Sequence, residues 1–287
     1  MKKYKICKIL LVILAIFLCV AFYELLGIRV AYKKQPEVSN TTKKETKNVS
    51  WNECSENTER AVIIEKNPEA LLQRVRLIKN AKKEIILSTF AFQSDESGKL
   101  ILGALHDAAD RGVHIRLLVD GMESWIDMEG NPYFYGLSSH ENVEIKLYNK
   151  ANPLKPWKMM GRMHDKYLIA DGKRYILGGR NTYNYFLGDF PGHKNYDRDV
   201  LVVCDEPEKE NSVNQLLEYF ETIWEQEDSG YFHDNKKLAN RKSVKNAVLE
   251  LQNGYQKYFE ENKERICDTD YTDETFETEK IALVSNP

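Results

Sequence analysis

The chain lacks a disulfide framework. Its five cysteines are few for 287 residues; Cys7 and Cys19 fall in or beside an apolar run, and Cys54, Cys204 and Cys267 are scattered. An oxidising compartment would allow a Cys54–Cys267 bridge, which the spacing gives no reason to expect, and Cys204 on an apolar stretch reads as core. No group of Cys and His has metal-site spacing, so neither a metal nor a cofactor is expected. Excess positive charge is absent too: Lys and Arg number 41 against 44 Asp and Glu, a net charge of −3. Without the four lysines of the first eight residues, the balance is 37 against 44, or −7. An acidic body fits poorly with nonspecific nucleic-acid binding, which draws its affinity from neutralised phosphates. No internal repeat is present.

Long apolar runs are also missing, with one exception. Lys2, Lys3, Lys5 and Lys8 precede residues 9–28, whose one charge is Glu24, and about twenty apolar residues cross a bilayer. The basic flank should stay cytoplasmic, which predicts a single-pass cell-membrane protein with its body outside the cytoplasm. Cys19-Val20-Ala21 is a poor signal-peptidase site, and Leu18 is too large for lipoprotein processing at Cys19. Residues 1–30 are thus read as a transmembrane signal anchor, and the polar residues 31–58 as a flexible linker.

The remainder alternates between strand and helix patterns. Strands are expected near 61–65, 84–91, 113–119, 143–148, 164–170, 174–178 and 199–204, with helices near 67–82, 97–111 (capped by Ser97), 208–226 and 241–264. This order predicts an α/β sandwich with a mixed central sheet.

The strongest chemical signal is His164-x-Lys166-x4-Asp171, followed by Gly178-Gly179-x-Asn181. In a strand, residues two apart share a face. His164 and Lys166 would then present together a nucleophile that is neutral near pH 7 and a cation for phosphate oxygens. Asp171 has the opposite parity and suits a supporting role at the turn. The two glycines allow close backbone approach, and the Asn181 amide can donate to a phosphate. Farther on, Asp197 and Asp199 would share one face of a strand, where one could fix a histidine tautomer. Before the motif, Lys155, Trp157, Lys158 and Arg162 suit either an anionic membrane surface or an ordinary loop. Phe90, Phe92 and Gln93 could line the same cleft.

The motif resembles the signature of the phospholipase D superfamily, with Gly179 where that family often has Ser or Thr. From about residue 61 to 224 the chain is similar to the amino-terminal half of bacterial cardiolipin synthase-like proteins, including residues 94–98, 108–113 and 197–200. The resemblance implies a phospholipase D-like α-β-α sandwich after one transmembrane helix. It implies catalytic roles for His164, Lys166, Asp171, Asn181 and Asp197. Lys166 and Asn181 would hold the phosphate, through a phosphohistidine route without metal; Gly179, and Trp157 and Arg162 of the preceding loop, are further substrate-binding candidates read from the residues themselves. The implied substrate is a membrane phospholipid, resolved by water or a second lipid alcohol; an extracytoplasmic nuclease, or a noncatalytic lipid-binding half-enzyme, is the alternative.

Superfamily enzymes use two such motifs, and this sequence has one. His106, His114, His140, His193 and His233 lack the Lys and Asp that would make another. Either a homodimer completes the site, or a second motif-bearing half belongs to a longer chain. The sequence from Lys280 onward favours the latter, since it reads as a new strand opening a second half. The resulting division is a catalytic domain over 59–230, a helical and acidic connector over 231–279, and the start of a missing half over 280–287.

Overall fold

The computed structural model describes residues 2–33, Asn40, Lys43, Lys44 and Lys47, and 59–285 apart from Met159, Lys209 and Asp234. Most of the expected linker, with Cys54, lies outside the described residues. Helix α1 (Lys2–Lys33) is continuous, so the helix runs past the expected boundary at residue 30. Its apolar side chains are exposed along most of its length, and it is long and apolar enough to cross a membrane.

The body is one nine-stranded mixed sheet. In chain order its strands are β1 (Arg60–Ile64), β2 (Glu84–Thr89), β3 (His114–Asp120), β4 (Val143–Tyr148), β5 (Tyr167–Ala170), β6 (Arg174–Gly178), β7 (Asp199–Val203), β8 (Ser229–Tyr231) and β9 (Phe276–Glu277). They lie in the order β8-β4-β3-β2-β5-β6-β7-β1-β9. The β2–β3 and β3–β4 pairs are parallel, because a helix intervenes between successive strands; the others are antiparallel.

Alternation along the strands builds two cores. Ile85 and Leu87 face one side, beneath α2 (Asn67–Asn80), α3 (Glu96–Asp110), α5 (Pro132–Ser138) and α7 (Lys242–Glu261). Ile86 faces the other, against Val213, Leu216, Phe220 and Trp224 of α6 (Ser212–Trp224). The expected α-β-α sandwich is therefore what forms. Short elements that escaped the sequence reading include α4 (Gly121–Asp127), α5, β8 and β9. Each is too brief to show a period.

Several boundaries need correction. Asp95, rather than Ser97, caps α3, accepting from Gly98 N at 3.0 Å; Ser97 Oγ instead lies 2.8 Å from both Asn184 Oδ1 and Leu187 O. Residues 231–279 are no separate connector. Val244, Leu251, Tyr255 and Phe259 of α7, with Ile266 of α8 (Lys263–Cys267) and Tyr271, belong to the larger core. The acidic stretch wraps Arg76, which donates to Asp268 O and Asp270 O and pairs with Glu274 Oε2 at 2.9 Å. A buried guanidinium needs those acceptors, and their position brings β9 onto β1. No strand begins at Lys280 among the described residues; Ile281 and Leu283 pack against the smaller core, and Leu283 N donates to Gln215 Oε1.

Candidate active site

His164 and Lys166 stand just before β5 rather than within it. What holds this irregular segment is Asp120, buried at the end of β3. Its carboxylate accepts from Met163 N at 3.1 Å and from Arg162 Nε at 2.9 Å, and from the amides of Met122 and Glu123, so it also caps α4. One side chain thereby fixes the two residues ahead of His164 and starts the neighbouring helix. Sequence reasoning missed this role; the signal available was an Asp-Gly at the end of an apolar strand.

Phe90, beyond the end of β2, is the hub of the site. Its ring meets the His164 imidazole edge-on at 4.7 Å between centroids. Lys166 Nζ lies 5.4 Å from the same ring and the Arg162 guanidinium 4.9 Å. The aromatic face attracts both cations while its bulk excludes water. Lys166 is buried, and its ammonium donates to His164 O at 2.6 Å. Desolvation lowers the lysine to about 8, against the pull of Asp165 and Asp197. His164 keeps part of its ring in solvent, yet desolvation, followed by the nearby Lys166 cation, holds it below its ordinary value. Both shifts suit a site that handles an anion with a neutral nucleophile.

Asn181 comes from the loop after β6, which is zipped onto the end of β2. Thr182 N donates to Ala91 O, Gln93 N donates to Thr182 O, and Ala91 N donates to Asn181 Oδ1 at 3.2 Å. That last bond fixes the carboxamide and leaves its NH2 without a hydrogen-bond partner among the described residues. The loop is held from below by Arg180, which is buried and donates to Ile64 O, Glu65 O and Asn67 Oδ1. Asp199 pairs with Arg180 at 3.2 Å and with Arg74 at 2.9 Å. Asp197 and Asp199 therefore have different tasks despite sharing parity. Asp199 is a buried clamp, while Asp197 lies over Gly179, where a Cβ would overlap its carboxylate. This placement explains Gly179 in a position that the resemblance fills with Ser or Thr.

The other expected residues have partners of their own. Asp171, with φ +54°, directs its carboxylate to the amides of Lys82, Lys83 and Glu84 at 2.7–3.1 Å. It lies at the far end of β5, about 16 Å of strand from Lys166, and is bound to the β2 entry turn. Asp197 accepts from Arg198 N, and among the described residues no hydrogen bond joins it to His164. Arg162 is committed to Asp120 and to Glu123, the latter at 2.9 Å. Trp157 is on a 3-10 turn (Pro156–Lys158) that packs against α1. Among the described residues, no group of His, Cys, Asp and Glu could hold a metal ion.

Residues 74–224, just over half of the chain, match the family described as cardiolipin synthase, PLD-like domain. The chain belongs to this family. An uncharacterised protein of Helicobacter pylori strain J99 is 30% identical over 212 residues, covering 69% of this chain and 39% of that protein. Cardiolipin synthase C of Escherichia coli K12 is 29% identical over 171 residues, covering 55% and 34%. The chain thus spans less than half the length of these relatives. Among solved structures, NucT from Helicobacter pylori aligns with 16% identity and a TM-score of 0.48, covering 61% of this chain and 99% of that one.

Proposed function

We propose that this PLD-like domain is the phosphoryl-transfer half of a membrane-anchored phospholipase D-type phosphodiesterase acting on phospholipids. The observation that supports the reading is the Phe90 ring, beside which His164 and Lys166 both lie, with the Asn181 carboxamide held on the amide of the next residue, Ala91. A neutral imidazole attacks phosphorus, forming a P–N bond as the bond to the leaving alkoxide breaks. The Lys166 cation and the Asn181 NH2 stabilise charge on the non-reacting oxygens. The leaving oxygen takes its proton from a second acid, and water or a lipid alcohol, deprotonated in turn by that group, then displaces the imidazole. The second acid is a histidine of another motif-bearing half, supplied by a partner copy or by another part of a longer protein. Support for phospholipid comes from the apolar α1 and the acidic body, which repels polyanions. The body would face away from the cytoplasm, given the lysines before α1.

The test supplies mixed phospholipid vesicles to the purified chain and to His164→Ala. Headgroup release or transfer by the former and none by the latter is expected. Equal product from both removes His164 from the mechanism.

A further inference from the structure

The segment leading into His164 carries an exposed apolar face. Leu154 is 78% exposed, Trp157 46% and Met160 49%. On the adjoining α4, Trp125 and Ile126 are 66% and 65% exposed. The two elements are joined, since Arg162 pairs with Glu123 and Gly121 packs directly on Lys150 N and Tyr148 O. Large side chains grouped on a surface in this way mark an interaction site. The occupant is indicated by α1. Tyr23 Oη donates to Leu154 O at 3.0 Å, and Gly27 lies so close to Pro156 that a Cβ there would overlap the proline ring. Gly27 is next to the end of the apolar run 9–28, which at 1.5 Å per residue is about 30 Å long, the thickness of the hydrocarbon layer. A loop touching that point is at the membrane interface. Its composition agrees: Trp157 has the amphipathic ring favoured there, and the Lys155 ammonium has no partner among the described residues and is available to anionic headgroups.

We propose that the 150–163 loop and α4 form a lipid-seating rim that rests in the outer part of the bilayer and holds the site against it. Met160 is four residues from His164, so at most about 14 Å of chain separates them, and a phosphodiester at headgroup depth is within reach without leaving the membrane. Arg162 links the rim to the site, being tied to Asp120 and Glu123 on one side and packed on Phe90 on the other. The proposal rests on α1 spanning the bilayer, and its second test rests also on the phosphodiesterase reading.

The first test needs no activity. The full chain is placed in vesicles of phosphatidylethanolamine and phosphatidylglycerol with acyl chains brominated near the headgroup, and the Trp157 signal is taken as the difference from Trp157→Phe. Quenching by the brominated chains, with little effect of aqueous acrylamide, is expected. Quenching by acrylamide alone overturns the rim, and so does quenching by neither, which would mean protein covers the loop. The second test is Ile126→Ser with Leu154→Ser and Met160→Ser. Turnover of bilayer phospholipid should fall about tenfold or more, as apolar anchoring is lost, while turnover of a water-soluble diester is kept. Equal loss on both overturns the proposal. A parent chain that turns over neither substrate places the second acid in another part of a longer protein, and the quenching measurement then decides the rim.

Discussion

Lys166→Met should yield a protein that is inactive and more stable than its parent at neutral pH. The charged ammonium is buried, which lowers the lysine from its ordinary 10.5 to about 8. At about 1.4 kcal/mol per unit, keeping the group charged in the fold at pH 7 costs roughly 3 kcal/mol. Met has similar length and shape, so packing is largely retained. What is lost is the hydrogen bond from the charged ammonium to His164 O, worth about 1.5 kcal/mol or somewhat more. The net gain is about 1 kcal/mol, or about 2–4 °C in midpoint for a domain of this size. The sign follows from the folded value lying below the unfolded one. The lysine's contribution is fully present above 10.5 and is lost as pH falls through about 8. The advantage of the Met variant should therefore be largest below pH 8 and shrink steadily toward pH 10. Thermal unfolding followed by circular dichroism, at pH 7 and pH 9.5 in one detergent, reads both. A variant that is destabilised at pH 7, or whose advantage is the same at both values, refutes the reasoning.

With a soluble diester, kcat/KM should be bell-shaped, because the free enzyme needs neutral His164 and protonated Lys166. The acid limb should lie below 6.5 and the alkaline limb near 8; a profile flat to pH 10 would contradict the assignment. Asp171→Ala removes the acceptor of three amides and places Ala at positive φ. It should lose about 2–3 kcal/mol of stability by denaturant titration while keeping kcat at low temperature, and a stable but inactive variant would return Asp171 to catalysis. Asp199→Asn leaves two buried arginines short of charge, which should cost about 3–5 kcal/mol by the same titration; a change under 1 kcal/mol would show the clamp to be dispensable.

Much was determined by sequence alone. Strand and helix periods set the order of the sandwich because buried faces recur at 2 and 3.6 residues, and the apolar run with its lysines marks α1 on composition. The motif singled out His164, Lys166 and Asn181 as candidates, because groups suited to phosphate chemistry stand there at short spacing. Tertiary structure decided what each polar side chain meets. Asp171 and Asp197 lie in or near the motif, yet one caps the start of β2 and the other fills the space over Gly179. Asp199 was legible as a partner of Asp197, and its buried arginines, from α2 and the loop after β6, were not. Phe90 and Asp120 come from two other strand ends that the parallel pairing of β2 with β3 brings beside β5. Local pattern reports a residue's own periodicity. The identity of its neighbours depends on contacts between segments far apart in the chain, which only folding supplies.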